Sequence, residues 1–131
     1  MPDNEVPIVE IKKNGGVPQI QLRFGFAQFA SFRILLWDTS GHNPTEVAKG
    51  TNLPGEPDTF PIGTSAAALD GRYITWQASI ASPTGGPGQQ FSQTAKFLQD
   101  SANCPTGPLT QSGPFSNTTA TFANARFKVV N

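Results

Sequence analysis

Apolar and polar residues alternate with a period of two along much of this chain, and this alternation is typical of β-strands with one buried face. It is clearest in residues 17–26 and 72–82. The apolar residues that share one face are Ile20, Leu22, Phe24 and Phe26 in the first segment, and Ile74, Trp76, Ala78 and Ile80 in the second. A shorter first strand is expected over residues 6–12, followed by a turn at the Gly-rich residues 14–16.

Two denser segments, residues 28–38 and 89–99, fit either a strand or a helix on periodicity alone. We favour strands, because aromatic residues dominate the first segment and Gly25 and Gly41 bracket it. Apolar residues occur on both sides of that segment, which predicts a central strand buried on much of both faces. The second segment places Phe91, Ala95 and Phe97 on one face of a strand, whereas a helix would group Phe91, Ala95 and Leu98.

The C-terminal segment, residues 115–130, contains two alternating apolar sets. Ala120 and Phe122 belong to the first set, and Phe127 belongs to a second set that is shifted by one residue. This shift predicts a bulge or a turn near residues 123–124.

Glycine and proline break the remaining sequence into short windows and leave little room for helices. The chain has 13 glycines and 12 prolines. Long loops are expected over residues 39–58, 83–88 and 101–114. The pattern predicts an all-β fold with little or no helix: an antiparallel β-sandwich of about seven or eight short strands, immunoglobulin-like or jelly-roll-like, in a single domain over residues 1–131.

Composition and charge exclude several classes of function. Lys and Arg number nine and Asp and Glu also number nine in 131 residues, so the net charge is zero. A neutral chain lacks the basic footprint of a nucleic-acid-binding protein. No apolar run approaches the length of a membrane span. One cysteine excludes an internal disulfide.

The sequence leaves the compartment open. The first five residues lack the basic start and the apolar stretch of a secretory signal. The low charge and the many hydroxyl and amide residues resemble secreted or cell-surface β-proteins. We therefore make no prediction of localisation.

Groups that could carry out catalysis are scarce, and the sequence predicts a protein that is not an enzyme. It contains one histidine, His42, and one cysteine, Cys104. Cysteine chemistry would require the fold to bring these two side chains together. No catalytic residue, metal ligand or cofactor is predicted.

One segment resembles part of a known family. Residues 35–41, Leu-Leu-Trp-Asp-Thr-Ser-Gly, resemble the strand and turn that carry the catalytic aspartate of aspartic proteases. The resemblance implies Asp38 as one half of a carboxylate pair that shares a proton. The chain departs from that pattern because Ser40 stands where the family has glycine, and because no second Asp-Thr-Gly occurs.

A polar surface with an aromatic side chain is the best candidate for a binding site. Amides and carboxylates bind sugar hydroxyls, and an aromatic face packs against the apolar side of a sugar ring. The candidate ligand-binding residues are Trp37, Asp38, His42, Asn43 and Asn52. Packing in the core is the favoured role for both tryptophans on residue type alone, and ligand binding is the competing role for Trp37.

The sequence therefore predicts a non-catalytic recognition module that binds a glycan or a protein surface through its loops. The alternative is a structural subunit that self-associates in a larger assembly, since a net charge near zero weakens self-repulsion. A homo-oligomer is compatible with both functions.

Overall fold

The computed structural model describes residues 6–24, 29–52, 58–81, 89–100, 102–104, 109–115 and 118–130. In these residues, ten strands form two five-stranded sheets. The strands are β1 (Ile8–Lys12), β2 (Gln19–Phe24), β3 (Phe29–Leu36), β4 (Thr45–Asn52), β5 (Asp58–Pro61), β6 (Tyr73–Ala81), β7 (Gln89–Gln99), β8 (Ala102–Asn103), β9 (Leu109–Phe115) and β10 (Thr118–Val130). A short 3-10 helix, Ala66–Leu69, precedes β6. The predicted class, an all-β sandwich, is confirmed.

Sheet A has the strand order β1-β10-β6-β3-β4, and sheet B has the order β5-β2-β7-β8. Strand β9 also belongs to sheet B and pairs with the first half of β7, while β8 pairs with its end. Within both sheets the described pairs are antiparallel except β1 with β10, which is parallel. Both ambiguous segments, 28–38 and 89–99, contain strands, as predicted.

The core lies between the inner faces of the two sheets. The alternating residues predicted to be buried in β2 and β6 are buried where the structure describes them: Ile20, Leu22, Ile74, Trp76, Ala78 and Ile80. Aromatic rings join the sheets at the centre. The Phe97 ring lies 5.7 Å from the Trp76 ring and 5.8 Å from the Phe127 ring, both at steep interplanar angles. Such edge-to-face contacts add to the stabilisation from apolar burial.

Part of the segment predicted as a loop over residues 39–58 is a strand, so the prediction of one long loop is wrong. Strand β4 occupies Thr45–Asn52 and pairs with β3 at the edge of sheet A. As an edge strand, β4 pairs with one neighbour and contributes little apolar surface to the core. Among the side chains of β4 that the structure describes, only Val47 and Ala48 are half-buried, so the segment lacks the apolar alternation that predicts a strand.

The loop predicted at residues 101–114 is interrupted in the same way by β8 and by most of β9. The loop predicted at residues 83–88 lies outside the described residues.

The bulge predicted near residues 123–124 is wrong. Strand β10 pairs with β6 in one unbroken register from Thr118 to Arg126. The apolar set is shifted because Ala120 and Phe122 point away from the core, and 57% of Phe122 is exposed. The alternation therefore changes face while the backbone stays regular.

Candidate functional site

The outer face of sheet A, turned away from sheet B, is open to solvent over three adjacent strands. The registers of β3, β6 and β10 align their outward side chains in rows across the sheet. The rows are Ser31, Ser79 and Ala120; then Arg33, Gln77 and Phe122; then Leu35, Thr75 and Asn124; and finally Trp37, Tyr73 and Arg126. Ser31 and Arg33 are exposed and Leu35 is half-buried, so the expectation that this strand is buried on much of both faces is wrong for its outward face.

A groove of about 310 Å³ opens at the last of these rows. We call it the Trp37–Tyr73 groove after its two aromatic side chains, both half-buried. Its lining residues are Val6, Trp37, Ser40, Gly41, Tyr73, Thr75 and Asn124. Small-molecule pockets commonly measure about 300–1,000 Å³ and combine apolar walls with a few polar groups. The groove therefore has the size and the composition to hold a small polar ligand.

Trp37 lies just beyond β3, and three hydrogen bonds hold it against the sheet. Its backbone N–H donates to the Tyr73 carbonyl over 2.8 Å, and its own carbonyl accepts from Arg72 Nε over 2.9 Å. The indole Nε1 donates to Thr75 Oγ1 over 2.9 Å. Because Thr75 belongs to the outward row next to Trp37, this bond fixes the ring in the groove rather than in the core. Trp76, in contrast, is buried in the core as predicted.

Tyr73 forms the other aromatic wall. The Arg126 guanidinium lies over its ring, 5.4 Å from the ring centre. A cation above an aromatic face is attracted by the ring's electron density. This contact orders the Tyr73 side chain and places a positive charge beside this aromatic wall of the groove.

The turn after Trp37 is closed by the Asp38 side chain. Asp38 Oδ1 accepts hydrogen bonds from the backbone N–H groups of Ser40 and His42, and from Ser40 Oγ. Asp38 Oδ2 accepts from Asn43 Nδ2 over 2.9 Å. Gly41 and Asn43 adopt the left-handed conformation that the tight turn requires, and these residue types tolerate it best.

These donors hold the pKa of the Asp38 carboxyl well below its usual value, the largest contribution coming from the His42 backbone N–H and the next from the Ser40 hydroxyl. The carboxylate is therefore ionised and already hydrogen-bonded within its own turn. The aspartic-protease resemblance implies that this carboxyl group shares a proton with a second carboxyl group, whereas the structure shows it hydrogen-bonded to donors of its own turn.

His42 Nδ1 lies 3.0 Å from Ser40 Oγ. Ser40 has a single hydroxyl proton and donates it to Asp38 Oδ1 rather than to His42. The arrangement thus differs from a nucleophile and its base, in which histidine accepts the serine proton. Cys104 is buried in a different cavity, which it shares with Lys12, Gln99 and Val130.

Four of the five sequence-predicted residues, Trp37, Asp38, His42 and Asn43, lie together at this end of sheet A, but of these four only Trp37 lines the groove. Asn52 pairs with Ala30, seven residues before Trp37 along β3, which is about 23 Å at the usual strand rise. Its side chain lies outside what the structure describes. Sequence reasoning missed Tyr73, Thr75 and Asn124, because strand pairing alone brings these distant positions beside Trp37.

The described residues contain no group of three or more His, Cys, Asp or Glu side chains placed to hold a metal ion. No helix in the described part of the chain has the length and the apolar character needed to cross a membrane. Comparison of the chain with protein-family models, with curated proteins and with solved structures finds no match.

Proposed function

We propose that this β-sandwich is a non-catalytic recognition module that binds a glycan in the Trp37–Tyr73 groove. The observation that supports the proposal most directly is that two aromatic side chains line one open groove together with the exposed Ser40 and with Asn124. A sugar ring has an apolar face and a rim of hydroxyls, and these match an aromatic wall and neighbouring amide and hydroxyl groups.

The rigidity of the groove also supports binding. Trp37 is held by three hydrogen bonds, and the next turn is closed by the Asp38 carboxylate. A wall that is ordered before the ligand arrives loses little conformational entropy on binding. Because the indole N–H is already bonded to Thr75, Trp37 offers its ring surface rather than a hydrogen-bond donor.

A screen of the purified protein against a panel of neutral and acidic glycans tests this function, with Trp37→Ala and Tyr73→Ala as the variants. We expect binding to at least one class of glycan and its loss in both variants. Val17→Ala is the matched control, because Val17 is an exposed apolar residue outside the groove. Binding that survives both aromatic substitutions would overturn the proposed site, and a blank panel would overturn the function.

A second candidate function is the structural, self-associating subunit. The exposure of Phe122 on the outer face of sheet A favours it, since large apolar side chains at the surface often mark contacts between proteins. Sedimentation velocity over a range of concentrations tests this alternative. A stable oligomer that Phe122→Ser converts to monomer would favour the structural subunit over the glycan module.

A further inference from the structure

A shallow depression of about 470 Å³ lies on the same outer face as the groove. Ser31, Ser79 and Ala120 form the floor of the depression, because their small side chains leave the backbone of the sheet accessible. Arg33 and Phe122 stand in the neighbouring row and form one wall of the depression. The surface of small residues is thus bordered by the exposed ring of Phe122, the amide of Gln77 and the guanidinium of Arg33.

The depression and the Trp37–Tyr73 groove occupy successive rows of one sheet face. Tyr73 and Ser79 are six residues apart on β6, which corresponds to about 20 Å along the strand. This length exceeds a single sugar ring and suits an extended chain that lies along the strands. Aromatic side chains are present at both places, Trp37 and Tyr73 in the groove and Phe122 at the depression.

The charges on this face are not balanced, although the whole chain is neutral. Arg33 lies directly opposite Lys49 in the pairing of β3 with β4. Like charges in opposite positions destabilise an antiparallel pair. Glu46 offsets one of them, since its Oε2 lies 3.1 Å from Arg33 Nε.

At the groove itself one charge of each sign is present, since the ionised Asp38 carboxylate lies in the turn after Trp37 and the Arg126 guanidinium lies over Tyr73. The outward-facing cations of sheet A in the described residues are Lys12, Arg33, Lys49, Arg126 and Lys128, and the outward-facing anions are Glu10 and Glu46. An anionic ligand would relieve the repulsion between Arg33 and Lys49 and would meet a further cation at Arg126.

We infer that the ligand is an acidic polysaccharide whose chain extends from the Trp37–Tyr73 groove to the depression. Its sugar rings stack on the aromatic side chains, and its carboxylate or sulfate groups lie beside Arg33, Lys49 and Arg126. This inference rests on the proposed function and adds to it the charge of the glycan and the length of the bound chain.

The test compares polygalacturonate and alginate with the methyl-esterified form of each, which keeps the sugar chain and removes its charge. We expect the acidic forms to bind more tightly and their affinity to fall as ionic strength rises, because exposed charges are screened by salt. The double variant R33Q/K49Q should lose about fivefold or more in affinity for the acidic forms. Glu46→Gln should increase that affinity, since it removes the anion beside Arg33.

Charge on the opposite sheet supplies the matched control. Arg23 and Lys96 lie on the outer face of sheet B, so R23Q/K96Q removes the same charge from the molecule while leaving sheet A intact. This control should keep the affinity of the unaltered protein. An equal loss in R23Q/K96Q, or equal binding of polyacrylate, would reduce the effect to general attraction of polyanions and would overturn the inference.

The remaining outcomes separate the inference from the proposed function. If neutral glycans bind best and Trp37→Ala abolishes their binding, the acidic ligand is overturned and the glycan module stands. If no glycan of either charge binds, both are overturned. If acidic glycans bind but short oligosaccharides bind as tightly as long ones, the extended chain is overturned.

Discussion

The indole N–H of Trp37 donates a 2.9 Å hydrogen bond to the hydroxyl of Thr75, and this bond joins the end of β3 to the outward face of β6. Thr75 is almost fully buried under the indole, although it belongs to the solvent-facing side of the sheet. The bond determines which part of Trp37 a ligand meets. The ring surface stays accessible and the polar edge of the ring is occupied.

Replacing Thr75 with valine should loosen this arrangement while keeping the size of the side chain. We expect a loss of about 1 kcal/mol in the free energy of unfolding, the usual contribution of one such hydrogen bond. Glycan affinity should also fall, because Trp37 would lose its fixed orientation. Urea unfolding and a binding titration measure the two effects, and Thr75→Ser, which retains the hydroxyl, is the control. Equal affinities in the two variants would argue against a positioning role for this bond.

The Asp38 turn predicts an unusually acidic carboxyl group. Its folded pKa lies below its unfolded value, so the stabilisation is present at neutral pH and is lost as the pH falls below about 4 toward the folded pKa. Carbon-13 NMR titration of the carboxyl groups measures this directly. Ser40→Ala and Asn43→Ala each remove one donor and should raise the pKa of Asp38. Titration of Asp38 near the ordinary value of about 3.9 in the unaltered protein would contradict the described turn.

Phe97 connects the two sheets through its contacts with Trp76 and Phe127, so its truncation should be costly. We expect Phe97→Ala to reduce the free energy of unfolding by about 3–5 kcal/mol, the range for large buried aromatic residues. Phe122→Ala is the comparison, because that side chain is mostly exposed, and it should cost about 1 kcal/mol or less. Chemical denaturation followed by fluorescence measures both variants. Similar losses of unfolding free energy in the two variants would contradict the position of Phe97 in the core.

Cys104 should be protected from thiol reagents in the folded protein. It is buried, and burial raises the pKa of its thiol, so little of the reactive thiolate is present near neutral pH. A colorimetric thiol assay at pH 8 should show slow labelling that becomes fast in denaturant. Complete labelling within the mixing time under native conditions would show that Cys104 is accessible.

Local pattern was enough to predict the strands that bury one face against the other sheet. The Ile20–Leu22 and Ile74–Ile80 alternations exist because each core position must be apolar. Strand β4 could not be predicted in this way, because its position at a sheet edge places few demands on its side chains. Phe122 leads to the wrong prediction of a bulge for a related reason. An apolar residue on the solvent-facing side of a strand produces the same sequence pattern as a change in strand register.

The candidate site was predictable only where its residues are neighbours in sequence. Trp37, Asp38, His42 and Asn43 follow one another at the end of β3, and Asp38 and Gly41 are residues that favour turns. Tyr73, Thr75 and Asn124 come from β6 and β10. Their proximity to Trp37 depends on strand order and register, and composition and periodicity specify neither.

The two tryptophans provide the most direct test of glycan binding in the groove. Each gives its own indole N–H signal in a proton–nitrogen NMR spectrum, and one ring lines the groove while the other is buried in the core. Adding the tightest-binding glycan of the panel should shift the Trp37 signal and leave the Trp76 signal in place. A glycan that binds without moving the Trp37 signal, or a panel that contains no ligand at all, would contradict the account.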